Sequence, residues 1–234
     1  MSSLPDLTLY YFPGACSQAV RTTLHELSLP FKSVVVRFDA NRELEAADGS
    51  LSAKEYRDQI HHSSYVPGFV ITFPDGRKES ITEAPAILSY LASLVPEKNL
   101  AGKTELEKAK VLSWIIWFAG TAHGSAFTPY WSPKRFVDVS DQKLKEGVEK
   151  GGRRNIEAAY ENLEKRLQKS GGEWFVGDEL TLADIYSYII YRWGVKENFG
   201  MEKYKKYTEI VRKLEARESV KKTLEEEGIP AHFQ

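Results

Sequence analysis

Strand-like patterning stops near residue 100 of this 234-residue chain. Up to that point β-rich runs alternate with helical stripes, and beyond it every apolar repeat is helical. Residues 7–12 (LTLYYF) form a β-rich run ending at Pro13-Gly14, a turn signal. Ala19, Val20, Thr23, Leu24 and Leu27 then share one helical face, and Pro30 stops that helix. Residues 31–38 (FKSVVVRF) read as a second strand; residues 39–64 are polar and irregular, with a short helix over 53–59. Runs at 69–73 and 77–80 flank Pro74-Asp75-Gly76, a hairpin turn. A helix opens at Thr82, with Pro85 in its first turn, and runs to Leu94. Strand–helix–strand followed by hairpin and helix implies a small sheet with helices on its faces. The expected fold class is an α+β domain over residues 1–96, a linker over 96–102, and an all-α helical bundle over 103–234.

In the helical part, residues 111–119 are apolar almost all round (Trp114, Ile115, Ile116, Trp117, Phe118), which predicts a central, buried helix. The apolar surface there exceeds what one small helical layer needs, which predicts a homodimer. Leu144, Val148, Ile156, Tyr160, Leu163 and Leu167 stripe a second helix, whose middle Gly151-Gly152 should weaken. Thr181 and Asp184 have the spacing of a capping box, a structural role. Tyr207, Ile210, Val211 and Leu214 mark another helix, and residues 220–227 a short last one.

Charge excludes one class of partner. The 32 Lys+Arg nearly cancel the 33 Asp+Glu, so no global basic field for nucleic acid exists. The single cysteine, Cys16, excludes an intramolecular disulfide and fits a reducing compartment. No basic segment followed by an apolar run opens the chain, and no apolar stretch approaches the roughly 20 residues that span a bilayer. The expectation is a cytoplasmic protein without membrane partners. His25, His61, His62, His123 and His232 lack ligand spacing, so no metal is expected, and no nucleotide-binding glycine loop occurs.

The sharpest chemical feature is residues 10–17 (YYFPGACS): a strand, a Pro-Gly turn, then a thiol and a hydroxyl at a helix start. Helix-start N–H groups carry positive partial charge and stabilise an anion. A thiol pKa of ~8.5 can fall to roughly 3.5–7.5 there. Cys16 is then a nucleophile or the neighbour of a bound thiolate; otherwise it is a small buried hydrophobe. Ser17 is either a second catalytic donor or an ordinary helix cap. Val66-Pro67 precedes a strand, where proline leaves backbone groups outside the ladder. If the bond is cis, those groups can pair with an extended peptide, which the sequence alone does not show. Glu83 and Ala84 head the next helix, where the Ala84 N–H can hold a carboxylate and Glu83 an ammonium; Glu is also simply favoured at helix starts.

In this order and inside this element string, these residues resemble the cytosolic glutathione S-transferases: a thioredoxin-like N-terminal domain followed by an all-helical domain. The opening motif at 10–17 is similar to that of the bacterial beta class, Val66-Pro67 matches the family's cis-proline, and residues 82–87 match the segment that holds the γ-glutamyl end of glutathione. Residues 177–184 (GDELTLAD) resemble the family's C-terminal capping segment. The resemblance implies glutathione as co-substrate, lying beside Val66 and Pro67 with its γ-glutamyl carboxylate at Ala84, its amine at Glu83 and its sulfur at Cys16 and Ser17. It implies a transferase that conjugates glutathione to hydrophobic electrophiles, a detoxification chemistry, with thiol–disulfide or reductive activity through Cys16 as a further branch. A ligand-binding or interaction module on the same fold is the alternative.

Two departures stand out. The family's Asn-Pro-x-Gly reads His61-His62-Ser63-Ser64 here. The helical-domain histidine of the beta class falls on Gly124, one residue after His123, and one helical step rotates a side chain by about 100°. His123, Phe127, Tyr130 and Trp131 are the candidates for an apolar electrophile pocket; core packing is the competing role for each aromatic ring.

Overall fold

A computed structural model describes residues 5–233. The chain runs β1 (Asp6–Tyr11), α1 (Ser17–Glu26), β2 (Lys32–Phe38), β3 (Leu44–Ala46), α2 (Ala53–Gln59), β4 (Gly68–Thr72), β5 (Lys78–Thr82) and α3 (Ala84–Leu94). It continues through α4 (Glu105–Trp117), a π-helical stretch (Phe118–Phe127), α5 (Thr128–Trp131), α6 (Gln142–Ser170), α7 (Leu182–Lys196), α8 (Lys205–Glu215) and α9 (Glu218–Glu227). Two compact units result. One holds the residues up to Leu100 together with those from Glu215 onward, and the other is Ala101–Leu214. The last helix therefore groups with the sheet, whereas the sequence assigns all of 103–234 to the helical part.

In the first unit the strands order β3-β2-β1-β4-β5. β1 and β2 are parallel, joined by α1; β4 pairs antiparallel to β1, and β5 antiparallel to β4. Leu7 and Leu9 of β1, Phe69 and Ile71 of β4, and Val20 and Leu24 of α1 are buried, as are Ile87, Leu88 and Leu91 of α3. The β4–β5 hairpin closes at Pro74-Asp75-Gly76, with Gly76 at φ +84 and its N–H donating to the Phe73 carbonyl at 2.9 Å. β3 lies within the stretch that reads as irregular; three residues are too few to show an alternation. A second apolar cluster joins Val36, Leu44, Tyr56, Ile60 and Val70, with Tyr10, Leu51 and Val66 against it. α9 packs on α1: the Thr22 and Thr223 hydroxyls meet at 3.1 Å, and Glu26 takes hydrogen bonds from Arg217 and Ser219.

In the second unit the central helix is α7, with almost every residue from Leu182 to Gly194 buried. This corrects the expectation for α4. Only Val111, Trp114 and Ile115 of α4 are buried, while Leu106, Leu112 and Ile116 are 66%, 45% and 53% exposed. An all-round apolar helix gives no phase to read, so sequence shows that one face is buried but not which. α6 also runs unbroken through Gly151-Gly152. A Cβ at Gly152 would come within 2.6 Å of the Tyr130 backbone nitrogen, so this glycine permits the close approach of α5. Thr181 and Asp184 form the expected box. Asp184 accepts from the Thr181 N–H and hydroxyl at 2.8 Å each, and also from the Phe175 N–H at 2.8 Å. Burial raises its carboxyl to about 6 against those donors.

Candidate functional site

Strand register brings the chemistry together. Tyr10 of β1 pairs with Gly68 of β4, which pairs with Thr82 of β5. The segments that leave these three residues, 12–17, 66–67 and 83–84, therefore emerge at one end of the sheet, on strands about 4.8 Å apart.

The first segment is a β-turn. Ala15 N–H donates to the Phe12 carbonyl at 3.1 Å, Pro13 is its second residue, and Gly14 its third at φ +72. That is a type II turn, which requires glycine or asparagine at the third position. α1 starts directly after it, and Cys16 is its N-cap residue. The Cys16 thiol is 6% exposed and donates to the Val66 carbonyl oxygen at 3.3 Å. Burial pushes its pKa up to about 12; the Glu83 carboxylate adds to the rise, while the backbone N–H groups of Cys16 and Ser17 oppose it. The sequence-based expectation of a thiol lowered by the helix start is thus corrected: the helix-start N–H groups do lower its pKa, but burial outweighs them.

Ser17 does not cap the helix. Its hydroxyl is fully buried, accepts from the Phe12 N–H at 3.3 Å and donates to the Phe12 carbonyl at 3.2 Å. It staples the turn to the helix.

The Val66-Pro67 peptide is cis, as the family resemblance implies. Gly68 follows at a position where a Cβ would strike the Ile60 side chain and lie 3.0 Å from the Tyr56 hydroxyl. Tyr56 donates to the Tyr65 carbonyl at 2.7 Å, fixing the residue before Val66. Sequence reasoning passed over Tyr56, whose only signal is an aromatic hydroxyl on the apolar face of a short helix. His61 is 2% exposed; burial lowers its pKa and nearby Glu83 raises it. Its Nδ1 accepts from the Ser63 N–H at 3.3 Å.

Glu83 is exposed and stands before α3 at φ +68, ψ +113, a conformation non-glycine residues rarely adopt. Such strain, of order 1–3 kcal/mol, gathers at ligand sites. Ala84, next to it, is buried at the first turn of α3. Cys16, Val66, Pro67, Glu83 and Ala84 thus meet at one corner of the first unit.

The helical-unit candidates divide. Phe127 is 1% exposed, with its ring centroid 4.6 Å from that of Trp131 and 5.3 Å from that of Trp193, so it belongs to the core. Tyr130 is half-buried against Phe199, at the α5–α6 approach. Trp131 is 37% exposed and its indole N–H donates to Glu197 at 3.0 Å. His123 is half-buried between Trp193 and Trp131; burial, with Arg135 nearby, lowers its pKa to about 4, a neutral imidazole. His123 lies in the π-helical stretch, where the Thr128 N–H bonds back five residues to its carbonyl. That spacing resets the α-helical phase from which the Gly124 alignment is counted.

A mixed sheet, a cis-proline beside a buried thiol and a following helical unit define the glutathione transferase class of fold. Comparison with known proteins agrees. Residues 134–227 match the family described as "Glutathione S-transferase, C-terminal domain". Glutathione S-transferase GstA of Escherichia coli O157:H7 is 27% identical over 224 residues, 95% of this chain and all of that one. A beta-class glutathione S-transferase of Sphingomonas chungbukensis superposes with a TM-score of 0.77 at 28% identity, covering 95% of this chain and 100% of that one. A sphingomonad glutathione S-transferase complexed with glutathione gives 0.75 at 27% identity, with the same coverage. Along 95% of its length the chain is similar to proteins named glutathione S-transferases, and bacterial beta-class members are among its structural neighbours. Among the described residues no cluster of three or more His, Cys, Asp or Glu could hold a metal ion, and no helix is long and apolar enough to cross a membrane.

Proposed function

We propose that this chain binds reduced glutathione at the corner formed by Cys16, Val66-Pro67 and Glu83-Ala84, and transfers it to an apolar electrophile. One observation carries the reading: register delivers a thiol, an exposed acid and a helix start to the same end of the sheet. The tripeptide lies along Val66 and Pro67, its ammonium at Glu83 and its carboxylate at the Ala84 N–H. Glutathione releases its thiol proton to solvent; the neutral Cys16 thiol turns from the Val66 carbonyl to donate to the resulting thiolate, and the two N–H groups of Cys16 and Ser17 add to its stabilisation. That sulfur attacks the electrophilic carbon, forming a C–S bond while the leaving group departs with its electron pair. Within the helical unit, Trp131 and half-buried His123 are the aromatic candidates for apolar-ligand contact, whereas Phe127 packs in the core against Trp131.

The thiol held near 12 favours conjugation over a mixed disulfide at Cys16, because only a thiolate attacks a disulfide. A non-catalytic module would bind the tripeptide without turnover. Calorimetric titration with reduced glutathione, followed by an assay panel of aryl halides, enones and disulfides, tests the proposal. Heat of binding and conjugation activity are expected, and neither would appear if the corner does not hold the tripeptide.

The exposed pair Leu112 and Ile116 on one face of α4 supports a homodimer.

A further inference from the structure

The turn before Cys16 is held from a residue more than two hundred positions away. Glu227, in the last turn of α9, accepts the Gly14 N–H on its Oε2 at 2.9 Å. The same oxygen accepts the Gln18 side-chain amide at 3.1 Å, and Arg21 Nε lies 3.6 Å from Oε1. The Glu227 side chain is fully buried and that of Arg21 is 2% exposed. Arg21 is fixed in turn by Glu226 at 2.7 Å and by the Tyr11 ring, 3.8 Å below its guanidinium. Gly228, at φ +66, ends α9, and Ile229 comes back so that its Cδ1 would lie 3.4 Å from a Cβ on Gly14. The C-terminal segment is built against this turn.

The chemistry explains why that contact matters. Type I and type II turns differ by a flip of the central peptide, here Pro13–Gly14. The flip reverses the direction of the Gly14 N–H. A buried carboxylate accepting that N–H holds the type II form, since the flipped form would aim a carbonyl oxygen at the carboxylate and leave the N–H without this acceptor. The peptides that follow carry the Cys16 and Ser17 N–H groups, so the direction of the sulfur's donors depends on the plane Glu227 fixes.

We propose that Glu227 is a positioning residue for thiol activation: through the Gly14 N–H it locks the turn that aims the helix-start donors at the glutathione sulfur. This rests on the proposed transferase reading. The tripeptide's ends are held at Val66, Glu83 and Ala84, which Glu227 does not touch, so its loss should act on kcat and not on KM for glutathione.

The test pairs Glu227→Ala with Glu227→Gln. Alanine is expected to lower kcat about tenfold, in keeping with the large cost of ångström-scale misplacement, with KM for glutathione within about twofold. Glutamine, whose amide oxygen still accepts the Gly14 N–H, is expected to restore kcat to within about threefold. An unchanged kcat in the alanine variant, or a glutamine variant as slow as alanine, overturns the proposal. Should the alanine variant fail to fold, hydrogen exchange of the Gly14 amide in the unmodified protein decides: strong protection is expected, and exchange at unfolded-peptide rates overturns the lock. An unmodified chain that neither binds nor turns over glutathione removes the transferase reading and the positioning role with it, while Gly14 exchange still reports separately on the hydrogen bond.

Discussion

The Cys16 thiol donates to the Val66 carbonyl oxygen at 3.3 Å, so the cysteine of the first helix start is tied to the residue that precedes the cis-proline. Burial at this point holds the thiol near 12. Cys16 is therefore a neutral donor across the physiological range. Alkylation by iodoacetamide at pH 8 is expected to run far more slowly than for a free cysteine, whose pKa is about 8.5. A rate matching free cysteine, followed by mass spectrometry, would contradict the assignment. With a donor role, Cys16→Ser should keep conjugation activity within about tenfold, whereas Cys16→Ala should lose more, because serine retains a hydrogen to donate.

Ser17→Ala is expected to act on stability. The hydroxyl serves both backbone groups of Phe12, and its removal strips the Phe12 N–H of that partner in a part-buried setting. The cost is about 1–3 kcal/mol. Urea denaturation of the variant should show the midpoint falling with an unchanged slope. A variant as stable as the parent would mean that the turn does not depend on this staple.

Legibility in the sequence follows interaction range. β1, the Pro-Gly turn and α1 are readable because turn chemistry and helical period are local. The convergence of Cys16, Val66 and Glu83 follows from register, which the sequence supplies only through the order of elements. Glu227 is invisible: it meets Gly14 across 213 positions, and a glutamate ending a helix has no mark that separates it from a solvated one. The exposed face of α4 and the π-helical stretch after it are hidden for another reason. Apolar residues on every side erase the phase from which burial is read. The Cys16 pKa shows the same limit, since the helix-start effect is local and the burial that overrides it is tertiary.

Leu112 and Ile116 lie four residues apart on one exposed face of α4. Light scattering is expected to give twice the 26.6 kDa of one chain. Leu112→Glu with Ile116→Glu should shift the mass to that of a single chain, since a buried pair of carboxylates opposes association. A parent protein at 26.6 kDa would rule the dimer out.

Asp184 gives the sharpest pH signature. Burial raises its folded pKa to about 6, above the ~3.9 of an unfolded chain. The folded state therefore keeps its proton where the unfolded state has lost it. This stabilisation is fully present below pH ~4 and is lost as pH rises through about 6, a change of about 3 kcal/mol. Asp184→Asn cannot titrate, so the parent's stability relative to the variant should fall by that amount between pH 4 and 6, bringing the variant level with or above the parent, and stay constant at higher pH. At pH 4 the parent should be more stable by about 1–3 kcal/mol: the hydroxyl oxygen of a protonated carboxyl still accepts a hydrogen bond, whereas the amide nitrogen turns a donor toward the Phe175 or Thr181 N–H. Thermal unfolding of both proteins across this range separates the two effects, and a difference independent of pH would show that Asp184 stays ionised in the fold.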